Sequence, residues 1–123
     1  MRKDILQEWL TVWGLNADHT GLFQSEDEMA TTTGHSTAII QAQILLCTAC
    51  CLILEGTDLL DADWITLKEW SAAIADDVER VSLSRNAPRG SPERLYNYLR
   101  WKIVKIGAAA EWETTFRFIA TLK

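Results

Sequence analysis

Very little in this sequence is suited to chemistry. The 123 residues include two histidines, three cysteines and two prolines, and each scarcity closes off a class of function. Both histidines, His19 and His35, lie in the first third of the chain without metal-ligand spacing to each other. The arginine-with-histidine arrangement of small helical ribonucleases is therefore unavailable beyond residue 35. An odd cysteine count with no secretion signal does not make a disulfide framework. The opening stretch, MRKDILQEWL, is amphipathic, carries Asp4, Gln7 and Glu8, and is followed by no small-residue cleavage site. The cytoplasm is the expected compartment. There is no glycine-rich phosphate loop and no nucleophile elbow.

The longest absence is one of charge, since no charged residue occurs between Met29 and Leu54. The apolar part, Ala38 to Leu54, is short for a bilayer, contains Gln41, Gln43 and Thr48, and is flanked by acidic residues on both sides. It reads as a buried helix over about residues 37–55, capped by Ser36 and stopped by Gly56, and not as a membrane span.

Around it the spacing predicts further helices. Ile5, Leu6, Trp9, Leu10 and Trp13 mark one over about 3–13. Trp64, Leu67, Trp70, Ile74, Val78 and Val81 mark another, beginning near residue 62 or near 67 after Asp58, Asp61 and Asp63. The break SRNAPRGSP, residues 84–92, ends in Ser91 and Pro92, which start a helix reaching about Ile106. Trp112, Phe116, Ile119 and Leu122 mark a fifth. The expected fold is thus all-α, a single domain over 1–123 forming a compact bundle of four to five helices, with Leu45, Leu46, Leu52, Ile53, Ile74, Val78, Leu99 and Ile103 in its core. An alternative remains open at the C-terminus, where RWKIVKIG and TTFRFIATL alternate like two strands of a β-hairpin.

Six tryptophans are many for this length. Filling a small core explains most of them, and a place on a partner-binding surface is the other reading for one or two.

Charge is sorted along the chain. Residues 1–79 carry 3 basic and 14 acidic side chains, whereas residues 80–123 carry 9 basic and 3 acidic. Arg80, Arg85, Arg89, Arg94, Arg100, Lys102 and Lys105 share their stretch with a single acid, Glu93. Three readings follow. The two halves attract each other within the fold; or the basic segment, interleaved with Tyr96, Tyr98 and Trp101, meets a nucleic-acid backbone; or the acidic half covers a basic protein surface. Arginine, five of the seven cations, presents a fork suited to phosphate and carboxylate.

Cys47 and Cys50 in CTACC share a helix face as half a zinc site, but the other half is missing, so they read as small buried hydrophobes. The aspartates 58, 61 and 63 lack the glycine and glutamate of a calcium loop. Asp76, Asp77 and Glu79 read as a solvated face. His35 beside Ser36 is not a base and nucleophile pair. No catalytic group, metal or cofactor is expected. The function the sequence favours is non-catalytic: a small charge-polarised inhibitor or regulatory subunit docking on a protein partner through Glu26, Asp27, Glu28, Arg85 and Arg89. Nucleic-acid binding through Arg80 to Lys105 is the runner-up.

Overall fold

The computed structural model describes residues 2–15, 22–23, 30–60, 63–70, 77–105 and 111–123, and they form an all-β structure. Nine strands run in chain order: β1 Arg2–Leu15, β2 Leu22–Phe23, β3 Ala30–Thr31, β4 Thr37–Thr48, β5 Cys50–Thr57, β6 Ile65–Trp70, β7 Asp77–Ser84, β8 Tyr98–Lys105 and β9 Glu111–Leu122. They pair antiparallel into two sheets. One has the order β1-β9-β4-β7; in the other β8 lies between β5 and the short strands β2 and β3, and β6 forms the far edge beyond β5.

The expected helical bundle is therefore incorrect, and the segment read as its central helix is where the error begins. Residues 37–55 are two strands in two different sheets, β4 and β5, separated by Ala49 in the left-handed region at φ 57°. Along β4, Ala38, Ile40, Ala42 and Ile44 are buried while Thr37, Ile39 and Leu45 are exposed and Gln41 and Gln43 half-buried. That is the period of two of a strand covered on one face. The expected helices over 3–13, over the stretch from residue 62 to Val81 and over 92–106 are likewise strands or loops wherever they are described. No helix long and apolar enough to cross a membrane occurs among the described residues. Nor is there a C-terminal hairpin: β8 and β9 are both strands, but β8 pairs with β5 and β9 with β1 and β4.

The core lies between the sheets. β9 contributes Trp112, Phe116, Phe118, Ala120 and Leu122, and the facing sheet contributes Leu52, Leu54, Trp70, Leu99, Trp101 and Ile103. Aromatic contacts tie the two layers, with Trp70 and Phe118 rings 5.5 Å apart and Trp101 set edge-on to Phe116 at 5.3 Å. Of the expected core residues, Leu52, Ile53, Leu99 and Ile103 are buried, but Leu45 is 52% exposed. Leu46 is only half-buried. Ile74, and the side chain of Val78, fall outside the described residues.

Gly56 shows how closely the segment before β8 packs on β5. A Cβ there would meet Tyr96 Cδ2 at 2.9 Å, Tyr96 Cβ at 3.0 Å and Leu67 Cδ1 at 3.2 Å. Tyr96 is buried and donates its hydroxyl to the Ser91 carbonyl at 2.9 Å, so it has little room to retreat. Gly56→Ala is expected to cost about 1–3 kcal/mol, read as a lower urea midpoint at unchanged slope. An unchanged midpoint would mean the packing here is looser than described.

Candidate functional site

Arg85, expected to contact a partner, is occupied within its own chain. It follows the last residue of β7, and its guanidinium ties the β3–β4 loop to the far end of its own β7–β8 loop. Nη2 donates to the carbonyls of Thr32 at 2.8 Å and His35 at 2.9 Å; Nη1 donates to the Leu95 carbonyl and Asn97 Oδ1, each at 2.9 Å. The main chain adds to this, since Arg85 N–H donates to the Ser36 carbonyl at 2.8 Å and Ser36 N–H to that of Lys123 at 2.7 Å. The GHST segment is thus part of a loop pinned by an arginine.

The neighbouring cations are also engaged. Arg94 Nη1 donates to the carbonyls of Arg85 and Ala87, and Nη2 reaches Asp58 Oδ2 at 3.4 Å. Asp58 also accepts the Asn97 N–H at 3.1 Å. On the outer face of the second sheet, Glu55 is 5% exposed and accepts from Arg100 Nε at 2.9 Å, with Lys102 Nζ at 3.9 Å. The Arg100 guanidinium lies 3.9 Å from the centre of the Trp64 ring. Arg80 and Arg89 are exposed. The side chain of Lys105, and Glu26, Asp27 and Glu28 altogether, fall outside the described residues, as do Asp61 and the side chains of Asp76, Asp77 and Glu79. Arg94, Arg100 and Lys102 of the basic half therefore face carboxylates of the acidic half.

The opposite situation holds on the outer face of the four-stranded sheet. Trp13 is 64% exposed, Trp9 43% and Leu45 52%. In register, Trp13 lies opposite Glu113 and Glu113 opposite Thr48; Thr11 lies opposite Thr115, their hydroxyls 2.8 Å apart; Arg117 lies opposite Gln43. The Arg117 guanidinium sits 5.0 Å from the centre of the Trp9 ring, and its Nε donates to Gln43 Oε1 at 2.7 Å. Trp9 points outward because β1 shifts register between Gln7 and Leu10. Gln7 remains on the inner side, where its Oε1 accepts the Trp101 indole N–H at 2.8 Å. A cleft of about 360 Å³ opens beside Trp13, lined also by Thr48, Glu111, Trp112 and Glu113. Trp70, Trp101 and Trp112, by contrast, are buried.

No family model, curated protein or solved structure matches this chain. What the site can do rests on its own geometry.

That geometry includes one reactive-looking cluster. Cys47 ends the buried part of β4 and Cys50 begins β5; their Sγ atoms are 3.7 Å apart, and Cys50 Sγ lies 3.7 Å from the Glu113 carbonyl. The hydrogen bond from Cys50 holds the Cys47 thiol down to about 7, against burial that pushes it up. The same bond, with burial, pushes Cys50 well above the ordinary thiol range. Cys51 points to the other face of β5, where burial and the charge of Glu69 push it up to about 11. Among the described residues no group of three or more histidine, cysteine, aspartate or glutamate side chains is arranged around a metal position.

Sequence reasoning missed the Trp9, Thr11, Trp13 row because tryptophans at this spacing also fit a helix stripe. The signal that finds it is period two across WLTVW, with Leu10 and Val12 packed against the core and Trp9, Thr11 and Trp13 exposed.

Proposed function

We propose that this chain is a non-catalytic binding module, an inhibitor or regulatory subunit that docks on a protein partner through the outer face of its four-stranded sheet. The observation that carries the reading is the group Trp9, Trp13 and Leu45, large apolar side chains exposed on this face, with Arg117 lying over the Trp9 ring. Exposed tryptophan beside arginine is the composition of energetically dominant contacts in protein interfaces. β1 is an edge strand, so a partner strand can add along it while the tryptophans supply anchors.

Glu8, Glu111 and Glu113 are exposed around the same group, and the whole chain carries a net charge of −5. An acidic rim around an apolar centre suits a partner surface that is basic around an apolar pocket, where complementary charge speeds encounter. Of the partner contacts expected from sequence, Arg85 is engaged in holding loops, Arg89 is exposed, and Glu26, Asp27 and Glu28 lie outside the described residues; of the cations expected to meet nucleic acid, Arg94, Arg100 and Lys102 face internal carboxylates. The nucleic-acid reading loses support for the same reason.

With the chain as bait in an extract of its source cells, Trp13→Ala is expected to weaken binding of the captured protein roughly tenfold or more, and Trp9→Ala to do the same. Glu111→Lys with Glu113→Lys should slow association and flatten its salt dependence. Arg89→Ala should change neither. Undiminished capture by the Trp9→Ala, Trp13→Ala double variant overturns this surface. Salt-sensitive retention on immobilised single-stranded DNA, lost on Arg80→Ala with Arg89→Ala, would favour nucleic acid instead.

A further inference from the structure

The chain passes from one sheet to the other through a single residue, Ala49, between Thr48 at the end of β4 and Cys50 at the start of β5, and a thiol stands on each side of that crossing. We propose that Cys47 and Cys50 form a reversible oxidation site, at which a peroxide converts the dithiol into an intramolecular disulfide clipping β4 to β5. The inference does not depend on the docking surface.

Three observations place the chemistry here. The Sγ atoms are already at 3.7 Å, so bond formation at about 2.05 Å asks for a closure of less than about 2 Å. The crossing is held in an unusual backbone state, with alanine at φ 57° where a β-carbon is disfavoured, and such conformations persist where the surroundings impose them. The cleft beside Trp13 runs along Thr48, which follows Cys47, and along Glu113, whose carbonyl contacts Cys50 Sγ. Both thiols are nearly covered, at 3% and 0% exposure. Their coverage selects a small uncharged oxidant such as hydrogen peroxide over a bulky disulfide.

The steps balance as follows. Cys47, the member of the pair held in the thiolate range near neutral pH by its neighbour's hydrogen bond, attacks one peroxide oxygen. The O–O bond breaks, Cys47 becomes a sulfenic acid, and the departing hydroxide takes up a proton to leave as water. Cys50 then attacks the Cys47 sulfur, the S–O bond breaks, and the oxygen leaves as a second water carrying the Cys50 proton. Two thiols are oxidised, one peroxide is reduced, and a thiol reductant reverses the outcome. Cys51, on the opposite face of its strand and raised to about 11, takes no part.

The test uses the full chain, reduced, then exposed to a few equivalents of hydrogen peroxide, denatured, alkylated with N-ethylmaleimide and weighed intact. The reduced chain should take three adducts, one for each cysteine, and the oxidised chain one, with dithiothreitol restoring all three. Cys51→Ser separates the pair from the bystander: it should go from two adducts to none, as a monomer about 2 Da lighter before alkylation. Cys50→Ser should stop at a sulfenic acid trapped by dimedone on Cys47. The rate in Cys51→Ser should fall as pH drops below about 7. Retention of both adducts in Cys51→Ser under peroxide, oxygen addition confined to Cys51 in the unmodified chain, or a disulfide-linked dimer would each overturn the proposal.

Discussion

Arg85→Ala is expected to destabilise the fold by about 3–4 kcal/mol, more than any other substitution of an incompletely buried side chain. The reason is what the guanidinium leaves behind. It donates to the carbonyls of Thr32, His35 and Leu95 and to Asn97 Oδ1, and Thr32 is fully buried. Hydrogen bonds to a charged group contribute about 1.5–3 kcal/mol each, and a buried acceptor left without a donor costs about 1–3 kcal/mol. These do not add, because the site is half-buried and water enters to serve some of the acceptors. At 123 residues the loss corresponds to a fall in Tm of roughly 10–15 °C. Arg85→Lys should recover less than half of it, since one ammonium cannot face acceptors on both sides as a planar fork does. Arg89→Ala, exposed four residues further on, should stay within about 0.5 kcal/mol. Urea unfolding followed by tryptophan fluorescence measures all three. A loss below about 1 kcal/mol for Arg85→Ala would show that the loops are held by their main chain alone.

The same residue marks how far the sequence could be read. That SRNAPRGSP is a break is visible from its prolines and glycine, and Gly90 there does adopt φ 87°. That an arginine within the break would hold two loops together is not visible, because its acceptors, mostly main-chain carbonyls, are brought together only by the fold. Charge sorting was legible as composition, but its structural use depends on register. Glu55 meets Arg100 because they lie opposite each other on β5 and β8.

The fold class was misread for a definite physical reason. In β6, Leu67 and Trp70 are both buried three residues apart, as on a helix, because the register with β5 shifts between Leu54 and Glu55 and leaves Lys68 and Glu69 both exposed. In β1 the shift around Glu8 and Trp9 likewise turns Gln7 and Leu10 to the same side. A bulge converts period two into a spacing of three. In β4 and β5 no turn residue marks the crossing at Thr48 and Ala49, so two strands of the core ran together as one apolar segment. Period two did survive in Gln41 and Gln43: two residues apart, they share a strand face, but would stand about 200° apart around a helix. The candidate site suffered from the same ambiguity. Once WLTVW is taken as helical, Trp9 and Trp13 fall on the inward stripe, although Trp13 is the most exposed of the tryptophans with a described exposure.

Phe116 and Leu45 together make the sharpest comparison between the two architectures. Phe116 is completely buried at the middle of β9, edge-on to Trp101 at 5.3 Å and to Phe118 at 5.6 Å. Removing its ring deletes apolar contacts to both sheets at once and leaves a cavity where close-packed neighbours cannot fully collapse. Phe116→Ala is therefore expected to cost about 3–5 kcal/mol. Leu45 is the opposite case. A helical bundle centred on residues 37–55 would bury it, and Leu45→Lys would then place an unpaired charge in the core at a cost of several kcal/mol. On the sheet it lies on the outer face at the register shift between Ile44 and Leu46. The substitution should then change stability by no more than about 0.5 kcal/mol. Ile44→Lys, one residue earlier and 2% exposed, should unfold the chain under the same conditions. Because adjacent residues on a strand point to opposite faces, this single-step reversal between positions 44 and 45 is what the β assignment demands. Equal sensitivity at the two positions would return the segment to a helix buried all round.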